Sequence, residues 1–183
     1  MAKVHDGIDE RLQAWIAEQP VFFVATAPLS GDGHLNLSPR GLDCLSVLGP
    51  RRVAWVDLVG SGVETIAHLQ ENGRVVLMWC AFTGPPQIVR LHGRGSVHLP
   101  GSAVFEDVAA RHPQHLSTRA VIAVDVERVS DSCGFGVPLM DLVGDRDQLD
   151  RWAASKGPDG IRDYVAEKNA TSLDGLPGLT PAG

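Results

Sequence analysis

The sequence has few cysteines, no basic cluster and no long apolar run, and each absence excludes a class of protein. Its three cysteines, Cys44, Cys80 and Cys133, lie far apart and form neither a disulfide framework nor a Cys-x-x-Cys metal site. No stretch of about 18 apolar residues occurs, which argues against a membrane-spanning helix. The N-terminus lacks the apolar core of a secretion signal. We therefore expect a soluble, cytoplasmic protein with no membrane partner and no metal site.

The charge balance is mildly acidic, which argues against general binding to nucleic acid. The formal net charge is −6, and the longest basic run is Arg51-Arg52. Binding to nucleic acid needs clustered lysine and arginine instead. Hydrophobic residues make up 44% of the 183 residues, which is enough to build one ordinary core.

Short apolar runs separated by turn signals dominate the pattern and predict a mainly β fold of the α+β class. Strands are predicted at residues 21–27, 34–37, 44–48, 53–58, 75–82, 88–99 and 120–129. Helices are predicted at residues 8–18, 62–71, 103–111, 147–155 and 160–169. Because helices do not follow the strands regularly, an antiparallel barrel with flanking helices is favoured over a doubly wound parallel sheet.

The best-defined predicted helix starts at a capping box. In Ser61-Gly62-Val63-Glu64, the serine hydroxyl would bind the third N–H and the glutamate would reach back. A helix start bordered by glycines also suits a bound anion such as a phosphate. A plain capped surface helix is the alternative at this point.

Several segments, taken in order, carry a resemblance to a known family. They are Leu35-Asn36-Leu37-Ser38-Pro39-Arg40-Gly41, Val56-Asp57, Gly60-Ser61-Gly62, the run from Arg74 to Trp79, and the run from Ile88 to Gly93. Over roughly residues 8–130 the chain resembles the pyridoxamine 5′-phosphate oxidase-like, FMN-binding split-barrel family. The resemblance implies a six-stranded antiparallel split β-barrel with flanking helices and a helical C-terminal extension. We expect one domain over residues 1–183, with the barrel core at about 20–130 and the C-terminal loop and helices at 131–183.

The resemblance also implies a homodimer with FMN in the groove between subunits and a small-molecule substrate. The residues expected to bind the cofactor are Ser38, Arg40, Asp57, Ser61, Gly62, Thr65, Trp79 and Arg90. Arg40, Ser61, Gly62 and Thr65 match positions where the family holds the FMN phosphate. Trp79 is expected either to stack on the flavin ring or to pack in the core, and Arg90 to face either the groove or solvent.

The chain departs from the oxidases at two places. Val63-Glu64-Thr65 stands where the oxidases carry Ser-Arg-Lys, and Gln87-Ile88-Val89-Arg90 stands where they carry Arg-Gln-Val-Arg. A phosphate-binding lysine and a flavin-ring glutamine are therefore missing or displaced.

Two functions follow as hypotheses. The first is an FMN- or deazaflavin (F420)-dependent oxidoreductase, in which the cofactor performs the redox step and no protein nucleophile is needed. No catalytic residue is identified. The second is a non-catalytic haem- or flavin-binding protein on the same fold, with His68, His92 or His98 as the histidine that would ligate haem.

Overall fold

Eight antiparallel strands form one sheet that positions the rest of the chain. The structure is a computed structural model that describes residues 3–179. The strands are β1 (Lys3–His5), β2 (Phe22–Thr26), β3 (Asn36–Arg40), β4 (Leu45–Gly49), β5 (Arg52–Leu58), β6 (Arg74–Cys80), β7 (Ile88–His98) and β8 (Thr118–Ser132). Their order is β3-β2-β6-β7-β8-β5-β4, and β1 pairs with the far end of β8.

Within residues 3–179, four helices accompany the sheet: α1 (Glu10–Ala17), α2 (Glu64–Asn72), α3 (Ala103–Ala109) and α4 (Gln148–Lys168). Asp9 and Ser102 cap α1 and α3 by accepting backbone N–H bonds, as their residue types favour. Gly157 breaks α4 in the middle with a φ of 68°, and Pro158 follows it. The two C-terminal helices predicted at 147–155 and 160–169 are the two halves of this element.

The core lies between the sheet and its helices, with β5 and β8 at its centre. Val53 to Val56 and Ala120 to Val124 are almost completely buried, as expected for strands covered on both faces. Helix α2 packs against β2, β6 and β7. The end of the described chain returns to the same core, since Leu179 is buried within it.

The prediction of a six-stranded barrel is wrong in strand number. The seven predicted strand regions all occur, and β1 is the eighth strand. β1 has only three residues and pairs with Val129 to Asp131, so no periodicity in its own sequence marks it. Over residues 3–179, β3 and β4 remain the two ends of the strand order, and closure into a barrel is not shown.

The predicted capping box at the start of α2 is also wrong. The N-cap is Val63, which makes no side-chain capping bond, and the helix begins at Glu64. The carbonyl of Gly62 accepts a bond from Arg119, and the carbonyl of Gly60 accepts one from Asn169. These bonds hold residues 60–62 outside the helix.

Within residues 3–179, every helix is too short or too polar to cross a membrane.

Candidate functional site

A cavity of about 320 Å³ lies between the edge strand β3 and the start of α2. We call it the Arg40 cavity. Five of the residues predicted to bind a cofactor line it: Ser38, Arg40, Ser61, Gly62 and Thr65. Asn36, Glu64 and Arg119 line it as well, and none of these three was predicted.

A buried carboxylate joins two arginines in the wall of the Arg40 cavity. Asp57 is completely buried, forms an ion pair with Arg40 Nη2 at 2.9 Å and accepts a hydrogen bond from Arg119 Nε at 2.8 Å. Two guanidinium groups therefore share one carboxylate, which leaves one positive charge without a counterion in this group. Arg40 Nε is also buried and has no hydrogen-bond partner among residues 3–179. An anion in the cavity would supply both the missing charge and an acceptor.

The C-terminal end of α4 positions Arg119. Asn169 is completely buried, and its Oδ1 accepts a bond from Arg119 Nη1 at 2.8 Å. Its Nδ2 donates to the carbonyl of Gly60 at 3.0 Å, while Arg119 Nη1 also donates to the carbonyl of Gly62 at 3.0 Å. One asparagine thus fixes both the arginine and the turn that borders the cavity.

Neither Arg119 nor Asn169 was predicted, but Arg119 leaves a trace in the sequence. It directly precedes the apolar run Ala120 to Val124, and an arginine at the start of a buried strand needs a carboxylate partner. Asn169 leaves no comparable trace, because its role depends on the return of α4 to the sheet.

The hydroxyl groups at the cavity are tied together by Asn36. Its Nδ2 donates to Thr65 Oγ1 at 3.0 Å and to Thr26 Oγ1 at 3.1 Å. Ser38 Oγ donates to Asn36 Oδ1 at 3.0 Å. These bonds fix where the serine and threonine oxygens lie in the cavity wall.

The start of α2 faces the same cavity. Because Val63 makes no side-chain capping bond, the first N–H groups of this nine-residue helix have no side-chain acceptor from their N-cap. The helix dipole favours an anion at this end. The Glu64 side chain folds back against Gly62, where a Cβ atom would collide with its carboxylate, and accepts a bond from the Leu173 N–H.

The C-terminal tail holds this side of the cavity in place. Asp174 accepts bonds from the backbone N–H and the ring Nδ1 of His34. These bonds lower the pKa of Asp174 below its usual value. Gly175 donates to the carbonyl of Ser172, so the tail forms a turn here.

Trp79 and Arg90 lie away from the Arg40 cavity. Trp79 is 1% exposed and stacks on Phe22, with 5.5 Å between ring centroids. Its ring therefore packs in the core, which was the alternative to flavin stacking. Arg90 lies on β7 and donates to Ser132 Oγ at 3.1 Å.

A second, more apolar cavity adjoins the first. This Leu42 cleft measures about 640 Å³ and is lined by residues of segments 20–21, 39–42 and 144–149. Arg40 and Pro39 line both cavities. Leu42, which lines the cleft, and the next residue, Asp43, have φ angles of 64° and 46°, a left-handed conformation that residues other than glycine rarely adopt. Such strain occurs most often at functional sites.

A sequence model of the pyridoxamine 5′-phosphate oxidase family matches residues 8–133. The chain belongs to this family. The pyridoxamine 5′-phosphate oxidase family protein ustO from Aspergillus flavus is 40% identical over an alignment 195 positions long, which covers 97% of this chain and 78% of that protein. The resemblance stated from the sequence is therefore confirmed.

Solved structures support the fold. HupZ from Group A Streptococcus aligns with a TM-score of 0.52 at 18% identity, over 67% of this chain and 91% of that one. A candidate pyridoxamine 5′-phosphate oxidase from Lactobacillus delbrueckii aligns with a TM-score of 0.52 at 18% identity, over 69% of this chain and 98% of that one. At this level of identity the likeness concerns the fold alone.

Proposed function

We propose that the protein is an FMN-dependent oxidoreductase that binds the FMN phosphate in the Arg40 cavity. The observation that carries this proposal is the pair of arginines that share the single buried carboxylate of Asp57. The two arginines, the unpartnered Arg40 Nε and the adjacent helix start favour a phosphate, while the Glu64 carboxylate in the same wall opposes it. Membership of the family supports the same cofactor.

Each group in the cavity has a distinct part in this proposal. Arg40 provides a charged donor to the phosphate, and Arg119 adds positive charge while holding Asp57. Ser61, Thr65 and the first backbone N–H groups of α2 provide neutral donors. Glu64 stands where the oxidases carry an arginine and Thr65 where they carry a lysine, so we expect weaker phosphate binding than in the oxidases.

The Leu42 cleft is the place we propose for the flavin ring and the small-molecule substrate. It adjoins the Arg40 cavity through Pro39 and Arg40, and its size is ordinary for a ligand site. Its apolar walls would exclude water from the reacting atoms. FMN, when bound, supplies hydride or electron transfer, while the chain binds and orients the substrate beside it. F420 and haem are the alternative cofactors.

We further propose that two copies of the chain form a homodimer with the cofactor groove at their interface. β3 is an edge strand and also lines the Arg40 cavity. Leu35 and Leu37, at this edge, are more than half exposed, as are Phe135 and Val143 in the loop after β8. A second copy would cover these apolar side chains. Light scattering tests this proposal, and a monomeric mass for the cofactor-loaded protein contradicts it.

A non-catalytic flavin- or haem-binding protein is the second candidate. The Glu64 carboxylate in the cavity wall favours it, because a negative group there weakens the hold on a phosphate. Reduction of bound FMN by NADH or NADPH supports the oxidoreductase. Stable binding of FMN or haem without turnover supports the second candidate.

The test of phosphate binding compares FMN with riboflavin, which lacks the phosphate. We expect the wild-type protein to bind FMN more tightly in a fluorescence-quenching titration, and Arg40→Gln to remove most of that difference. Arg111→Gln is the matched control, because Arg111 is exposed, pairs with Asp107 and lines neither cavity. Equal affinities of the wild-type protein for the two flavins would contradict the proposed phosphate site.

A further inference from the structure

A buried chain of hydrogen bonds runs from the Arg40 cavity into the core and ends at a histidine. Thr26 Oγ1 lies 2.9 Å from His68 Nδ1 and 3.1 Å from Asn36 Nδ2. His68 is completely buried, and its Nε2 has no hydrogen-bond partner among residues 3–179. A buried nitrogen without a partner is unfavourable by about 1–3 kcal/mol. The ring is therefore held in this position despite a cost to stability.

With the observed amide orientation, the donors and acceptors of this chain allow one arrangement in which the Thr26 hydrogen has an acceptor. Asn36 Nδ2 uses its two hydrogens on Thr26 and Thr65, and Asn36 Oδ1 accepts from Ser38. Thr26 accepts from Asn36, so its own hydrogen needs an acceptor, and His68 Nδ1 is the one within reach. His68 must then carry its proton on Nε2.

This arrangement decides what the cavity presents to a ligand. Thr65 Oγ1 already accepts a bond from Asn36, so its own hydrogen is free to point into the cavity. Ser38 gives its hydrogen to Asn36 and offers only lone pairs to a ligand. If His68 carried its proton on Nδ1, the Thr26 hydrogen would lack an acceptor unless the Asn36 amide turned over. After that turn, Thr65 would donate to Asn36 and not to the ligand.

We propose that His68 is a positioning residue that, through Thr26 and Asn36, orients the Thr65 hydroxyl as a donor to the cofactor phosphate. This inference rests on the proposed function, because it names how one group in that site is held. Burial lowers the pKa of His68, against the opposing charges of Asp174, Glu64 and Glu71. The ring is therefore neutral near pH 7, as an acceptor at Nδ1 requires.

The first test reads the tautomer directly and needs no cofactor. Nitrogen-15 NMR of the histidine rings distinguishes the two neutral tautomers, and His68→Asn assigns the signal. We expect the Nε2–H form of His68 at pH 7. The Nδ1–H form would overturn the inference whatever the protein binds.

The second test uses a matched pair at Thr26. Thr26→Val keeps the side-chain shape and removes the hydroxyl, whereas Thr26→Ser keeps the hydroxyl. We expect Thr26→Val to weaken FMN binding roughly tenfold, the effect of one hydrogen bond to a charged group. Riboflavin binding should stay unchanged, and Thr26→Ser should bind FMN within about twofold of wild type. Equal weakening for both flavins, or none for FMN, would overturn the inference.

A second pair covers the case in which Thr26→Val does not fold. His68→Leu removes the acceptor, and His68→Asn places an amide oxygen near the position of Nδ1. We expect His68→Leu to lose affinity for FMN alone and His68→Asn to bind FMN nearly as well as wild type. Identical losses in both variants would contradict the role of His68 in this chain of hydrogen bonds.

Failure of the proposed function is distinguishable from failure of this inference. If wild-type protein binds no FMN, the proposed function fails, and inorganic phosphate becomes the probe. The inference then stands only if phosphate shifts the NMR signal of the Thr65 amide in wild type but not in Thr26→Val or His68→Leu. Absence of that shift in wild type overturns it.

Discussion

The two cavities that share Arg40 are built in opposite ways. The Arg40 cavity is polar, and both arginines in its wall pair with the buried carboxylate of Asp57. The Leu42 cleft is mostly apolar, is bordered by a loop with left-handed backbone, and lies against residues 144–149 at the start of α4. The first is organised by specific pairing and the second by shape. We therefore expect single substitutions to be far more damaging in the first.

The largest effect is expected from Asp57→Asn. The change leaves two arginines without their buried carboxylate, and removal of one partner from a buried ion pair typically destabilises a protein by about 3–5 kcal/mol. Urea unfolding followed by circular dichroism measures the loss. Asp107→Asn, in the exposed Arg111 pair, is the control and should lose at most about 0.5 kcal/mol. Similar losses in the two variants would contradict the structural role of Asp57.

A smaller loss is expected from Asn169→Ala. It leaves Arg119 Nη1 with one bond fewer and the Gly60 carbonyl without this donor. We expect a loss of about 2–4 kcal/mol in the free energy of unfolding. We also expect the variant to lose more affinity for FMN than for riboflavin, relative to wild type. Gln114→Ala, on an exposed side chain, serves as the control. An unchanged preference for FMN would show that the C-terminal segment does not shape the phosphate site.

The proposed role of the Leu42 cleft in flavin binding is tested by replacing Leu42, whose left-handed backbone is strained. Leu42→Gly removes a side chain from a left-handed position and should change stability by no more than about 1 kcal/mol, in the stabilising direction. Because it also removes part of the cleft wall, we expect FMN and riboflavin to bind more weakly by the same factor. Gly84→Ala, at a φ of 66° with open space for the new methyl group, is the reverse control and should be destabilising. A loss of affinity for FMN but not for riboflavin in Leu42→Gly would indicate that the phosphate lies in the Leu42 cleft, which contradicts the proposed phosphate site in the Arg40 cavity.

The smallest effect concerns the tail turn at Asp174. Bonds from His34 lower the pKa of Asp174 below 3.8 in the folded protein. A depressed carboxyl pKa contributes stability above the unfolded value and loses it as pH falls through the folded value. We therefore expect wild type to be more stable than Asp174→Asn at pH 6, and this advantage to fade below pH 3.8. An advantage that persists at lower pH would exclude the carboxylate as its source.

Much of the fold was predictable because it depends on local pattern. The apolar runs of β5 and β8 and the polar turns between hairpins lie in continuous stretches, and Ser102 caps α3 with a bond three residues away. The start of α2 was mispredicted despite a good local signal. Arg119 donates to the carbonyl of Gly62 and Asn169 to that of Gly60. These tertiary hydrogen bonds outweigh a capping preference of about 1 kcal/mol.

The sequence by itself determined the family, the strand regions and five of the residues that line the Arg40 cavity. Only the tertiary structure decided what those residues contact. Arg119 meets Asp57 across 62 positions of the chain, and Asn169 meets Gly60 across 109. Periodicity and residue type report on neighbours within a turn or a strand. The pairing of buried charges depends on which segments the sheet and the returning C-terminal helix bring together.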